Sequence, residues 1–411
     1  MGAILMQPLL SWKLFAVVFV LAGLLRSWGA FEYNGYVGDE GIHVPAAISL
    51  TKYGTTSDWF HPQLSSLILA GTMKLFGDNS VGWRIGGIAF GTASILLLYL
   101  IARQLYPDSS VPILAASLLA FDPFDIHFCR TVMMESPAIL FFLLFLYFML
   151  EYRDNNRSLI FAGIAMGLAI ATKDYFVFAI PVVVVYAFSR ASQRSGENKS
   201  LLLVQFTITL VLLPIAIDLI SYGYWFGRGY TLSEFIQFKS DAYLTLQNFQ
   251  YAKDQLVALG GKPWEWFIRP LAFGYQIFSD GASARFVIEI NNPLFRVMVI
   301  PAMCIVVVHA VKKRSFHWLL APLLFMACYV LFFAVKRRIG SYSALVLLPF
   351  AYLALAQAVI ILASKYNREK EATIALLIAA LIQECYLFPL TEGFLVSTAF
   401  YEPILSMTRI Y

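Results

Sequence analysis

Four interruptions in an otherwise apolar chain carry side chains able to do chemistry. "VGDEGIH" places Asp39 beside Glu40 just beyond the first long apolar run. "FCRTVMMESPAIL" holds Arg130 and Glu135, "ATKDYF" sets Lys173 and Asp174 between two apolar runs, and "FFAVKRRIGSYS" groups Lys336, Arg337 and Arg338. Carboxylates and cations of this kind suit proton abstraction from a hydroxyl, coupled to charge neutralisation of a departing phosphate. Each also has a plain structural reading. Acids at a helix start favour its dipole by a few tenths to about 1 kcal/mol. Ser136 and Pro137 make Glu135 part of a helix start, Lys173-Asp174 is a short turn, and a basic cluster can lie against anionic headgroups. On one helix, neighbours such as Asp39 and Glu40 stand about 100° apart, so only one of them faces a small target.

The elements that must position these groups are membrane helices. Of 411 residues, 60% are hydrophobic and 13% charged, and the mean hydropathy is +0.71. Soluble domains do not have that balance. Apolar runs near the length that crosses about 30 Å of hydrocarbon fall at roughly 12–30, 81–103, 111–127, 136–152, 158–172, 174–190, 201–222, 293–311, 318–335, 342–363 and 372–390. The expected fold class is all-α, a polytopic membrane bundle of about eleven spans. The net charge of +5 comes without a Lys/Arg stripe interleaved with aromatics, which argues against nucleic acid as a partner. Cys129, Cys304, Cys328 and Cys385 lie singly in or beside apolar segments, with no CxxC pair, and read as small core hydrophobes. The first run follows only Lys13 and lacks a small-residue cleavage site, so it is read as a retained span.

Lys13, Arg103, Arg153 with Arg157, Arg190 with Arg194 and Lys199, Lys312 to Arg314, and Lys365 with Arg368 and Lys370 fall on alternate connections. The positive-inside rule then puts the amino terminus and these loops in the cytoplasm. The sequons at Asn156 and Asn198 share that side and would escape glycosylation. The first span occupies 1–30, core spans 81–222 and the last spans and tail 293–411, leaving 31–80 and 223–292 as the sizeable outer segments, where function is expected. In the first, residues 40–53 and 62–76 have apolar side chains at helical spacing, with Gly54 and Gly77 as stops and Pro62 to open the second helix. Both are too short to span and are expected to lie along the membrane surface. In the second, "LQNFQYAKDQLVALGGKPWEW" reads as a short amphipathic helix ended by Gly260-Gly261, with Trp264 and Trp266 as interface anchors. Trp264 stacking on a sugar is the alternative.

Lys336 to Arg338 form a cationic cluster on the outer side, where few are expected, and so call for an anionic partner such as a lipid phosphate. No P-loop, GxGxxG, GxSxG elbow or His/Cys metal spacing is present. The expectation is therefore metal-independent transfer from a membrane-anchored phosphate carrier to a hydroxyl, with no cofactor. A transporter would place its charges mid-span, on broken or repeated helices, whereas these charges sit at span ends.

In their order and intervals these features resemble the protein O-mannosyltransferases, a family of GT-C membrane glycosyltransferases. The resemblance rests on Asp39-Glu40, "HPQLSSLILAGTMKLFG", "VGWRIGGIAFG" with Arg84, Arg130 with Glu135, "ATKDYF" with Lys173, "KPWEWFIRPLAF" and "NNPLF". It implies an inverting transfer of mannose from polyprenyl- or dolichyl-phosphate mannose to a Ser or Thr hydroxyl of a protein, on the extracytoplasmic face of the plasma membrane. Asp39 would be the general base, Glu40 structural or orienting the acceptor, and Glu135 the acid that shapes the acceptor pocket. Arg337 and Arg338, with Lys173 and Arg84, would bind the donor phosphate, while His61, Arg130 and Trp264 would line the acceptor pocket. The chain departs from the family in its single proline after His61, in Glu135 where Asp is common, and in an outer segment at 223–292 too short for a β-trefoil domain. An archaeal or bacterial member is the better match. The missing domain keeps a lipid or glycan acceptor open, as in the aminoarabinose transferases of the same class.

Overall fold

In hydrocarbon every backbone group must be satisfied within its own segment, so the long apolar runs become helices. The computed structural model describes residues 8–152, 156–191, 199–248, 262–268, 272–279, 282–335, 339–406 and 409–410. In chain order the helices are α1 Pro8–Ser27, α2 Glu40–Tyr53, α3 Leu64–Phe76, α4 Ser80–Leu105, α5 Val111–Ala120, α6 Pro123–Cys129, α7 Glu135–Glu151, α8 Asn156–Thr172 and α9 Ile180–Ala191. Next come α10 Lys199–Thr207, which continues through a π-turn into α11 Leu213–Ser221, then α12 Gly223–Phe226 and α13 Leu232–Asn248. The chain ends with α14 Arg296–Lys313, α15 Phe316–Ala334, α16 Leu348–Ser364, α17 Glu369–Thr391 and α18 Thr398–Leu405.

Among the described residues, five helical runs are long and apolar enough to cross a bilayer: Ser80–Leu105, Ser200–Ser221, Phe316–Ala334, Ser341–Ser364 and Glu369–Thr391. The crossing expected at 111–127 is instead the pair α5 and α6, bent by 59°. Asp122 caps α6 by accepting the Asp125 N–H at 2.8 Å, and Pro123 opens it, so the bend is encoded locally. The runs expected at 136–152 and 158–172 give α7 and α8, with 17 residues each, or about 25 Å at 1.5 Å per residue. α14 carries Arg296, Lys312 and Lys313. Among the described residues, five of the eleven expected crossings meet this length and composition, or six with the bent pair counted as one.

Burial separates the middle of the bundle from its rim. Ser341–Ser364 is 83% buried and Ser200–Ser221 only 22%; a helix apolar on every side belongs at the centre. Arg26, fully buried near the end of α1, donates to Asp125 at 2.5 Å and to the carbonyls of Ala22, Leu119 and Ala120, which pins α1 to the α5–α6 bend. On α4, a Cβ added at Gly87 would stand 2.7 Å from the Cys129 carbonyl oxygen, and one at Gly91 2.1 Å from the Cys129 sulfur. Only glycine admits that approach, and it brings the end of α6 against α4. Cys129 and Cys328 are buried as expected, but Cys304 and Cys385 are exposed on the bundle surface and are not core residues.

The two short helices expected between residues 31 and 80 form as α2 and α3. α2 stops at Gly54, whose φ of +61° is left-handed. α3 begins two residues after Pro62, with Gln63 at the N-cap, so the proline precedes the helix and does not open it. The segment 223–292 holds a feature absent from the helical expectation. β1 Ala272–Ser279 and β2 Ser283–Ile290 form an antiparallel hairpin, joined by β3 Leu395–Ser397 and β4 Arg409–Ile410 in the order β3-β2-β1-β4. Ala284, Ile288 and Ile290 of β2 pack on Leu387 and Leu390 of α17. The amphipathic helix expected before Gly260-Gly261 lies outside the described residues.

Candidate active site

The apolar run of α1 ends at Ser27, and the chain to α2 is held from α4 by Ser80, which bonds the Phe31 carbonyl and the Asn34 side chain, and above all by Arg84. Arg84 grips the Glu40 carboxylate in a fork, Nε to Oε1 and Nη2 to Oε2, both at 2.8 Å. Its other N–H groups donate to the carbonyls of Ala30 (2.8 Å), Tyr33 (2.7 Å) and Gly35 (2.8 Å). All five guanidinium hydrogens are thereby used. Glu40, with no exposed surface, also accepts from the Val37 N–H at 2.9 Å and the Val132 N–H at 3.3 Å. One expectation changes in consequence: Arg84 has no donor left for a phosphate. Glu40, the core of the clamp, takes the structural one of its two expected roles.

Asp39 is different. It occupies the N-cap of α2 but makes no capping hydrogen bond. Half-buried, its carboxylate takes part in no hydrogen bond or ion pair among the described residues. One acid of the pair thus fixes the loop and leaves the other open. Glu289 on β2 lies within the electrostatic reach of Asp39; burial, with the charge of Asp39, pushes its carboxyl up to about 8. The neighbouring β2 residues Ile288 and Ile290 face the core, so strand alternation puts Glu289 on the opposite face.

A second polar group stands at the heads of α3 and α7. Glu135, in the first turn of α7, is buried, and its Oε1 lies 3.4 Å from Nζ of Lys173. Lys173 sits 4.9 Å from the ring centre of Tyr175, whose hydroxyl is 3.3 Å from Ser343. These contacts join the start of α7, the α8–α9 turn and the approach to α16. Asp58, also buried, holds two imidazoles: Nδ1 of His61 at 2.7 Å and Nδ1 of His43 at 3.1 Å. His61 feels the charge of Lys173, which links this triad electrostatically to the Glu135 pair. His43 also lines a pocket between α2, α3, α4 and α7, whose walls include Ser65, Thr72, Trp83, Phe90 and Met134.

The remaining expected site residues separate. Arg130 donates to Glu392 at 2.8 Å and to the Leu25 carbonyl at 3.0 Å, and lies over the Phe388 ring. It ties α1 to the end of α17 and is not an open pocket cation. Trp264 is 47% exposed, with Lys262 above its ring and Phe333 beside it. That placement on the bundle flank gives it no share in the pocket. Trp266, expected at an interface, is fully buried against Phe332. Arg337 and Arg338 lie outside the described residues. Sequence reading missed Asp58, His43, Glu289 and Glu392. The four-residue interval from Asp39 to His43, one helical turn, and the three-residue interval from Asp58 to His61 were available signals. Nothing local marks Glu289 or Glu392.

An anchored first loop and an acid left open at a helix head, on an apolar helical bundle, accord with the comparisons, which mark the chain as a membrane glycosyltransferase with a GT-C fold. Within that class the chain is similar to the protein O-mannosyltransferases. Residues 60–220 match the family model described as dolichyl-phosphate-mannose-protein mannosyltransferase. A polyprenol-phosphate-mannose–protein mannosyltransferase of Mycolicibacterium smegmatis is 22% identical over 94% of this chain and 90% of its own length. An undecaprenyl phosphate-alpha-4-amino-4-deoxy-L-arabinose arabinosyl transferase of Pseudomonas fluorescens is 24% identical over 53% of this chain and 39% of its own. The S. cerevisiae protein O-mannosyltransferase Pmt1-Pmt2 complex bound to the sugar donor shares the fold, with a TM-score of 0.83 at 13% identity, covering 97% of this chain and 92% of that one. ArnT from Cupriavidus metallidurans bound to undecaprenyl phosphate follows at 0.60 and 16%, covering 91% and 64%.

Proposed function

We propose that this membrane protein transfers mannose from a polyprenyl-phosphate mannose to a Ser or Thr hydroxyl of a protein, on the extracytoplasmic face, with Asp39 as general base. The acceptor hydroxyl gives its proton to Asp39 as its oxygen bonds to the anomeric carbon. The bond from that carbon to the phosphate oxygen breaks, and the polyprenyl phosphate leaves with the electron pair. One displacement inverts the anomeric centre and needs no enzyme-bound sugar. Lys173, with Arg337 and Arg338, neutralises the departing phosphate, and no metal is required. Glu135 holds Lys173 in place.

The observation that carries this reading is the division of labour at the head of α2. Glu40 is locked by Arg84, and the adjacent Asp39 is left with a carboxylate that makes no hydrogen bond or ion pair among the described residues. A base must be open to its substrate in that way. Asp39→Asn keeps the shape and cannot take a proton. The variant is expected to fold and to bind donor lipid while losing at least about 100-fold in transfer of label from polyprenyl-phosphate mannose to a Ser/Thr-rich peptide. Retained turnover removes Asp39 from this role. The match to arabinosyl transferases supports a second reading, transfer of another sugar to a lipid acceptor. Running aminoarabinosyl and mannosyl donors side by side, with peptide and lipid acceptors, separates the two.

A further inference from the structure

The cluster of His43, Asp58 and His61 has a chemistry of its own. Burial alone would raise the carboxyl of Asp58, yet hydrogen bonds from both imidazoles hold it below the usual carboxylate range. An ionised carboxylate only accepts, so each Nδ1 must carry the hydrogen. Burial lowers His61 below the ordinary imidazole value, Lys173 adds to that, and the pull of Asp58 does not reverse it. A neutral imidazole that gives its Nδ1–H to a carboxylate presents a lone pair at Nε2. Neither Nε2 has a hydrogen-bond partner among the described residues.

With each Nδ1–H committed to Asp58, Nε2 is the ring atom left to meet an incoming group. The ring centres are 6.1 Å apart, and both rings hang from one carboxylate. Gln63, fully buried, fixes that loop by donating to the carbonyls of Asp58 (2.9 Å) and His61 (2.7 Å). His43 also stands one helical turn beyond Asp39 on α2, its N–H bonded to the Asp39 carbonyl at 3.0 Å. Residues four apart share a face. The acid that takes the acceptor proton and the first of the two imidazoles therefore look the same way.

We propose that His43 and His61 form a sugar-reading subsite, each accepting a hydrogen bond from a hydroxyl of the glycosyl group being transferred. This rests on the transferase reading above. A Ser or Thr acceptor brings one hydroxyl, and Asp39 takes it; a hexose brings several, and two side-by-side acceptors match that supply. His43 reaches the pocket wall, while His61 feels the charge of Lys173, the cation expected at the phosphate.

The test compares kcat/KM of the unaltered protein, His43→Phe and His61→Phe on polyprenyl-phosphate mannose and on its monodeoxy analogues at each ring position. Deoxygenation at a position read by an imidazole should cost the unaltered protein about tenfold to a hundredfold. The matching Phe variant should lose a similar factor on the parent donor and nothing further on that analogue, with the KM for acceptor peptide unchanged. His61→Gln, whose amide oxygen can accept, should recover part of the rate, and it carries the comparison if the Phe variant does not fold. Losses that multiply on every analogue overturn the proposal. So does a change confined to the acceptor KM, which would make the imidazoles readers of the acceptor hydroxyl. If the unaltered protein uses no mannosyl donor, the mannose reading falls by itself; the same comparison on aminoarabinosyl donors and their deoxy forms then decides the subsite by the same criterion.

Discussion

The clamp between Glu40 and Arg84 makes the most demanding prediction. Arg84→Met leaves a carboxylate with no exposed surface and only the Val37 and Val132 N–H groups to face it. Breaking a buried ion pair from one side costs about 3–5 kcal/mol. The carbonyls of Ala30, Tyr33 and Gly35 also lose a charged donor; water can replace part of that, since Tyr33 is exposed. A total of about 4–6 kcal/mol is expected, a large part of the roughly 5–15 kcal/mol typical of folded proteins. Glu40→Gln keeps the shape and one acceptor, and should cost about 3 kcal/mol by leaving Arg84 unpaired. In Glu40→Gln/Arg84→Met neither charge is orphaned, so the losses should fall short of additive by at least about 2 kcal/mol. Denaturant unfolding of the solubilised protein measures the cycle. Transfer should stay low in all three variants, because each breaks the Glu40–Arg84 fork that sits beside Asp39. Single variants within about 1 kcal/mol of the parent, or a strictly additive double variant, would refute the clamp as the organiser of the site.

Three further outcomes are expected. Glu392→Gln removes the charged partner of Arg130 at 2.8 Å and should destabilise by about 2–4 kcal/mol, read in thermal unfolding, with Glu392→Asp close to the parent. Glu289 is raised to about 8 when folded, against an ordinary 4.5. The folded protein thus keeps a proton that the unfolded chain releases. Stability from this group is present below about 4.5 and lost as pH rises through about 8, so Glu289→Gln should flatten the fall in Tm across that window. Incubation with a chelator should leave transfer unchanged; a loss restored by a divalent cation would contradict the metal-independent mechanism.

Much of this molecule was legible in its sequence because the legible parts are local. Apolar run length identified the helices, and Gly54 and the spacing after Glu40 identified α2. The adjacency of Asp39 to Glu40 after the first run marked the site, since two acids in such a chain are conspicuous. Local pattern could not say which acid is free. That was decided by Arg84, 44 positions away from Glu40, whose fork and three carbonyl contacts exist only once α4 packs beside the loop. Arg84 and Arg130 looked like pocket cations because a one-dimensional reading sees charge without its partner; folding assigned each an anion, Glu40 for one and Glu392 for the other. The run expected as one crossing at 111–127 is broken by a bend that composition cannot register, made by an Asp122 cap and Pro123. The pairing of His43 and His61 on Asp58 likewise required α2 and the turn before α3 to meet. Hydrophobic length and the types of residue available were fixed along the chain, but charge pairing depends on distances between segments remote in sequence, and only the tertiary packing sets those.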